Sequence, residues 1–331
     1  MISRCTRLAT FALPLCVFFG GSASADTSAD PAAYPKQPIS LIVAWSPGGA
    51  VDLLARQLGT VLSKDLGTSI VVENKAGANG TIGHAQATRA APDGYTAILA
   101  SNSTFVIGPH LYKNLPYHHE KDLAPVSLIA ASPLILAVNP ALKVSTLEQL
   151  LSMARERPGR LNFASGGQGS TSHLAAEQLM ALTGVEMTHI PYQGGAPAAS
   201  AVVSGEVDMA FLDLGVSLPF LKSNRFLALA VSSENRSELL PDVPTVTESG
   251  VKDFEVTTTV GLFVPSKTPV AVIDRLNAAT VKALDDEELK QKLVRQGVVA
   301  IGSTSAELRD YTARESQRWG KIIEERHITV K

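Results

Sequence analysis

A device that occurs twice constrains this chain more than any other feature. An apolar run ends in a glycine/serine loop, and the loop passes directly into a helix-forming segment. The first copy is residues 39–45 followed by Ser46-Pro47-Gly48-Gly49. The second is residues 162–164 followed by Ser165-Gly166-Gly167-Gln168-Gly169-Ser170-Thr171-Ser172. After the first loop a helix is predicted over 52–66, with Leu53, Leu54, Leu58, Val61 and Leu62 on one face and Gly67 as its stop. After the second, a helix is predicted over 173–182, with Gly184 beyond its end. Apolar runs that alternate with helical periodicity are the pattern of an α/β protein with largely parallel sheets. The chain has 331 residues, more than the roughly 250–300 over which one core keeps growing, so two domains are expected. In open α/β sheets, ligands sit where such loops gather, at the carboxyl ends of the strands.

Between these landmarks, strands are predicted at 70–72, 96–100, 134–138, 187–190, 207–211 and 226–231. One helix follows Gly77-Ala78-Asn79-Gly80 and ends near Ala90, and another buries Leu147, Leu150, Leu151 and Ala154 at i, i+3, i+4, i+7. The end of the chain reads as helices over 269–284, 286–296 and 306–325.

The N-terminus reads as an export signal. Arg4 and Arg7 precede an uncharged stretch from Leu8 to Gly20, and Ala23-Ser24-Ala25 matches a small-residue cleavage site, placing the cut after Ala25. Both cysteines, Cys5 and Cys16, lie within that segment, so the mature chain has no thiol for disulfides, nucleophilic chemistry or metal. Leu15 is too bulky for Cys16 to be a lipid-attachment site. The expected address is the bacterial periplasm. A composition of 45% hydrophobic residues excludes a disordered chain, and a net charge of −2 argues against nucleic acid. No run of about 20 apolar residues is present, so no membrane span is expected.

Catalytic chemistry finds little footing. No Gly-x-Ser-x-Gly elbow occurs, and Ser170 with His173 at i, i+3 reads as a helix cap rather than a Ser/His pair. The cluster His118-His119-Glu120 reads as a solvated turn, and His84, His110, His189 and His327 as single core or surface residues; no metal or cofactor is expected. Gly77-x-x-Gly80-x-x-Gly83 lacks dinucleotide-loop spacing, and no phosphate loop occurs. What remains is anion recognition without catalysis. A glycine loop that opens a helix presents backbone N–H groups and the positive end of the helix dipole. Gly48, Gly49 and Ala50 allow close backbone approach, and Ser46, Ser165, Ser170 and Thr171 add hydroxyls. Neither loop contains Arg or Lys, which suits a small organic acid better than a phosphate-dense ligand.

Several segments resemble, in order and spacing, the Bug/TctC family of periplasmic solute-binding proteins of tripartite tricarboxylate transporters. They are Tyr34-Pro35-x-x-Pro38-Ile39, Ile42-Val43-Ala44-Trp45-Ser46-Pro47-Gly48-Gly49-Ala50-Val51-Asp52-x-x-x-Arg56 and Val72-Glu73-Asn74-Lys75-Ala76-Gly77-Ala78-Asn79-Gly80. Further on come Ala91-Pro92-Asp93-Gly94-Tyr95-Thr96, residues 162–170, Pro191-Tyr192-Gln193-Gly194-Gly195-Ala196-Pro197 and Pro241-Asp242-Val243-Pro244-Thr245. The resemblance implies a two-domain Venus flytrap, each domain a mostly parallel sheet flanked by helices, with the ligand clamped in the cleft between them. The expected domains are 26–131 with 256–331, and 132–255, the chain crossing at 130–133 and 255–258. It further implies a non-enzymatic, monomeric protein that captures a small carboxylate for transporter membrane subunits. The alternative is a periplasmic sensor that presents the bound acid to a signalling partner.

The family's carboxylate loop falls on Trp45, Ser46, Gly48, Gly49, Ala50 and Asp52, and a second polar stretch on Ser101, Asn102, Ser103 and Thr104. The other domain is expected to contribute Ser165, Gly169, Ser170, Thr171, His173, Gly194, Gly195 and Ala196. Asp213, at the end of a predicted strand, either meets a ligand hydroxyl or amine or holds the hinge side of the cleft. Two departures stand out: Ala44 replaces a frequent proline, and Thr259-Val260 replace the usual aromatic pair before Gly261, which is expected to reshape the pocket rim. Gly48→Val and Gly169→Val are each expected to abolish binding by blocking backbone approach.

Overall fold

A computed structural model describes residues 34–325 and 328–329; the export-signal segment with Cys5 and Cys16, and His327, lie outside the described residues. Strand β1 (Ile39–Val43) is buried along almost its whole length, as a strand covered on both faces requires. Helix α1 (Ala50–Leu66) follows the first glycine loop, buries Leu54, Ala55, Leu58 and Leu62, and stops at Gly67 in the left-handed region (φ 66°). β2 (Ile70–Asn74), α2 (Thr81–Thr88) and β3 (Thr96–Ser101) complete a block in which β1 pairs in parallel with both β2 and β3. A wide helical turn at Ser103–Ile107 and the short helices α3 (Gly108–Leu111) and α4 (His119–Asp122) then lead to β4 (Leu123–Val138).

β4 joins the two halves of the molecule. Its 16 residues include Pro125 and Pro133, and only its last five were expected as a strand. The second half follows with α5 (Leu147–Glu156), β5 (Asn162–Ser165), α6 (Thr171–Thr183), β6 (Thr188–Pro191), α7 (Gly195–Ser204), β7 (Met209–Asp213), α8 (Leu214–Lys222) and β8 (Leu227–Val231). The chain then returns through β9 (Thr257–Pro265), α9 (Val270–Leu284), α10 (Glu287–Val294), β10 (Val299–Ala300) and α11 (Ser305–Glu325).

The strand order β2-β1-β3-β9-β4-β7-β5-β6 runs unbroken through β4, with β8 and β10 also paired to β4. Each half contains a parallel core, β2-β1-β3 in one and β6-β5-β7 in the other. The long central strands β4 and β9 extend both cores with antiparallel pairing, so the sheets are mixed rather than parallel throughout. At the junction, Ser132 and Pro133 of β4 lie opposite Thr258 and Thr257 of β9, while the next residue, Leu134, pairs with Asp213 of β7. The carboxyl ends of β1, β3, β5, β6 and β7 therefore face one another from the two halves.

Candidate functional site

A cavity of about 370 Å³ lies where those strand ends meet. From the first half come Trp45, Ser46, Gly49, Ala50, Ser101 and Ser103; from the second come Ser170, Thr171, Gly194, Gly195, Ala196 and Asp213. All twelve were picked out by the sequence. Sequence reasoning passed over Pro47, Val51, Leu134, Gly166, Ser172, Pro197, Ser200, Phe211, Leu212 and Thr258, which also line it. Phe211 and Leu212 read as plain core residues, and Leu134 and Thr258 arrive only because β4 and β9 pair across the junction. Ser200 lies on α7, whose run of small residues gave no periodic signal.

The other expected site residues stand behind this wall and shape it. Asp52 is 2% exposed, and its carboxylate accepts bonds from the Gly48 N–H (2.9 Å), Arg56 Nε (3.1 Å) and Asn74 Nδ2 (2.8 Å). Burial pushes this carboxyl up, but the bonds from Arg56, Gly48 and Asn74 outweigh it and hold the group below the usual range. Asn74 also donates to the Trp45 carbonyl (3.1 Å), so the cluster fixes the loop without touching the cavity. Gly48 turns its N–H inward and takes φ 80°, with open space where a Cβ would stand. Asp52→Ala is expected to weaken ligand binding about tenfold, a loss of roughly 1.4 kcal/mol, while deleting no cavity atom. Calorimetry on the variant checks this; an unchanged dissociation constant would mean that the loop keeps its shape unaided.

Asn102 and Thr104 are likewise structural. Thr104 donates to the Ser101 carbonyl (2.9 Å); Asn102 donates to the Thr257 carbonyl (3.0 Å) and accepts from Thr171 Oγ1 (2.9 Å). In the second loop Ser165 is fully buried and bonds His189 Nε2 (2.6 Å), while Gly169 donates its N–H to His173 Nδ1 (3.1 Å). The His173 and His189 rings stack at 4.0 Å, and Nε2 of His173 reaches Glu177 (3.3 Å). Ser170 caps α6 by accepting from the His173 N–H (3.3 Å) and donates to the Gly167 carbonyl (2.6 Å), so no Ser170–His173 dyad forms.

His119, of the cluster expected to be a solvated turn, meets the single histidine His84. His119 is buried, not solvated, and its Nδ1 lies 2.8 Å from His84 Nε2 among the rings of Phe105, Tyr117 and Phe263. Among the described residues no group of three or more His, Cys, Asp or Glu is placed to hold a metal. Thr259 and Val260 do not themselves line the cavity: Thr259 bonds the Tyr311 hydroxyl (2.8 Å), and Val260 packs in the core.

The donors available to a ligand differ between helices. α1 is preceded by Gly49 and α7 by Gly194, neither offering a side-chain cap, so the first-turn N–H groups at Ala50, Val51, Gly195 and Ala196 have no acceptor within their helices. α6, capped by Ser170, offers less. No Lys, Arg or His lines the cavity. Bonds also cross between the halves: Ser46 Oγ to the Gln193 carbonyl (3.0 Å), Ser103 Oγ with Thr171 Oγ1 (3.1 Å), and Tyr112 Oη to the Gln168 carbonyl (2.6 Å). The arrangement is a closed clamp around an anion-receptive space.

The sequence pattern described as tripartite tricarboxylate transporter family receptor matches residues 54–328. BugT of Bordetella pertussis is 35% identical, over 93% of this chain and 94% of its own. Among solved structures, Rpa4515 of R. palustris with adipate is 30% identical with a TM-score of 0.87, covering 89% of this chain and 99% of that one. MatC of Rhodopseudomonas palustris with bound malate is 30% identical with a TM-score of 0.84, covering 88% and 100%.

Proposed function

Because this chain belongs to the tripartite tricarboxylate transporter receptor family, whose members are solute-binding proteins and not enzymes, we propose that it captures a small carboxylate in the periplasm and delivers it to the membrane subunits of a tripartite tricarboxylate-type transporter. The observation that carries this is the pair of uncapped helix starts, α1 and α7, that open onto one cavity from opposite halves. Oriented N–H groups and two positive dipole ends hold a carboxylate without a cationic side chain. Two neighbours in the family are solved with dicarboxylates, adipate and malate, which agrees with that chemistry. The reading includes export with cleavage after Ala25 and domains 26–131 with 256–331 and 132–255. The hinge then falls where β4 and the start of β9 run side by side, and closure about it brings the loops together. Among the described residues no helix is long and apolar enough to cross a membrane.

The test is a thermal-shift panel of dicarboxylates, amino acids and aromatic monoacids on mature protein that has been unfolded and refolded to strip bound solute. A ligand at 100 times its dissociation constant adds about 2.7 kcal/mol of stability, a clear rise in melting temperature. At least one acid is expected to give that rise, and cells lacking the protein are expected to lose uptake of the same acid. Failure of every acid, together with no acid released from unstripped protein, would overturn the reading.

A further inference from the structure

The cavity holds one ionisable side chain, and it is an acid. Asp213 ends β7 and occupies the position before α8, where aspartate ordinarily caps a helix by accepting from its first-turn N–H groups. Here the side chain makes no capping bond. It lines the cavity beside Gly195, whose Cβ position is 3.9 Å from Oδ2, and takes a hydrogen bond from Thr258. Oδ1 is sealed from solvent and has no partner among the described residues. Burial, only partly offset by hydrogen bonds from Thr258 and from the residue's own backbone N–H, pushes the carboxyl up to about 6. No charged neighbour other than the ligand is available to pair with it, since no Lys, Arg or His shares the cavity. The cavity wall also holds a complementary orphan, Trp45, whose Nε1–H is buried without an acceptor. One wall thus lacks a donor and a positive charge, and another lacks an acceptor.

We propose that the ligand is a zwitterion, an amino acid in the broad sense, and that Asp213 receives its ammonium group while the helix starts of α1 and α7 hold its carboxylate. This rests on the carboxylate reading above. An ammonium supplies both things that Oδ1 lacks, a hydrogen-bond donor and a counter-charge. A ligand hydroxyl supplies only the donor and leaves a buried charge uncompensated. A second carboxylate meets Asp213 as a like charge and binds only with a shared proton. A monoacid without either group leaves the orphan as it stands. The 20 Å³ void on the hinge side of Asp213 is large enough for one water, which is the competing way to satisfy Oδ1.

The experiment is calorimetry at pH 7.5 on refolded wild type and on Asp213→Asn, which keeps the side chain's shape and removes its charge. The ligands are matched sets: L-glutamate, 2-hydroxyglutarate and glutarate; 4-aminobutyrate, 4-hydroxybutyrate and succinate; 6-aminohexanoate, 6-hydroxyhexanoate and adipate. In at least one set the aminated acid is expected to bind wild type 30-fold or more tighter than its partners. Asp213→Asn is expected to erase that preference, weakening the aminated acid and binding its hydroxy and dicarboxylate partners at least as tightly as wild type does. Equal or tighter binding of hydroxy acids or dicarboxylates to wild type overturns the inference and leaves the carboxylate reading standing, as does an ammonium preference that survives in Asp213→Asn. If no member of any set binds either protein while another acid of the broader panel does, the inference falls and the carboxylate reading stands; if the broader panel fails too, both fall.

Discussion

Gly169→Val is expected to raise the dissociation constant for ligand 100-fold or more while lowering the melting temperature by only a few degrees. Gly169 sits in the second glycine loop at φ 77°, but backbone conformation is the smaller part of the effect. A Cβ at this position would stand 3.0 Å from Leu111 Cδ1 and Tyr112 Oη and 3.3 Å from Asn79 Nδ2, all on the opposite half of the molecule. The two branches of valine reach further still. The clash exists only when the halves are closed, so it acts on the closing equilibrium and not on the fold. A bias of about 3 kcal/mol against closure lowers apparent affinity by roughly two orders of magnitude, because only the closed fraction holds ligand. The left-handed conformation itself costs a β-branched residue about 1–2 kcal/mol, which accounts for the modest loss of stability.

Gly48→Val separates the two contributions. It meets the same backbone strain at φ 80°, yet its Cβ would enter open space and its N–H already faces Asp52 instead of the cavity. The loss of binding expected from sequence is therefore withdrawn for this position: Gly48→Val is expected to cost similar stability and less than tenfold in affinity. Tyr112→Phe, which deletes the 2.6 Å bond to the Gln168 carbonyl, is expected to weaken every ligand alike by a few-fold, since Tyr112 does not line the cavity. Small-angle scattering on Gly169→Val with saturating ligand completes the test: a profile as compact as that of liganded wild type would refute the closure argument.

The parts of this fold that sequence made legible are those governed by local chemistry. Gly67 and Gly184 stop α1 and α6 because both take left-handed conformations at φ 66° and 68° that other residues resist. The glycine loops announced themselves because strand, glycine and helix start are adjacent in the chain. What stayed hidden depends on distant pairing. Only the last five residues of β4 were legible as a strand; Pro125 and Pro133 are residues that normally end strands, yet the antiparallel partner β9 pairs past both, with a shift of register after Pro125 and none at Pro133. α7 and α8 contain Pro197 and Pro219 and lack a polar–apolar rhythm, so neither was anticipated. The site followed the same division. Ser46, Ser170 and Thr171 were found from their loops, and Trp45 and Gly195 from the family resemblance, whereas Thr258 and Leu134 belong to the cavity only through the β4–β9 junction. Asp52 and His173 carried the right chemistry in the right loops. The structure turns both inward, where they hold backbone N–H groups that the sequence assigned to ligand.

The unliganded protein is expected to lose stability steeply between pH 6.5 and 4.5, and His84 is expected to account for a separable share. His84 lies against the rings of His119 and Tyr117, with its Nδ1 buried and unpartnered, and His119 in turn packs against Phe105 and Phe263. Burial lowers its pKa to about 3, and burial together with the neighbouring His84 carries His119 well below the ordinary value. His189, lowered to about 3 by burial and by His173, acts in the same direction but is partly open to solvent and counts for less. The folded protein refuses protons that the unfolded chain accepts below about pH 6.5, so stability is full above that pH and falls as the pH drops toward 3. Each fully buried histidine contributes about 1.4 kcal/mol per pH unit, or roughly 3 kcal/mol for His84 between pH 6.5 and 4.5. Asp213 works against this trend. Its folded pKa of about 6 lies above the unfolded value, so the penalty of burying it charged is relieved as the pH falls. Substitution separates the two. His84→Gln keeps a donor for His119 and is destabilising at pH 7.5, but its cost relative to wild type is expected to shrink by about 3 kcal/mol at pH 4.5. Asp213→Asn should show the converse, stabilising the unliganded protein at pH 7.5 and having little effect at pH 4.5. Urea unfolding of the three proteins across that range is the measurement. Wild-type and His84→Gln curves that stay parallel would show that the histidine pair is hydrated or already charged in the fold, against the burial that the structure assigns it.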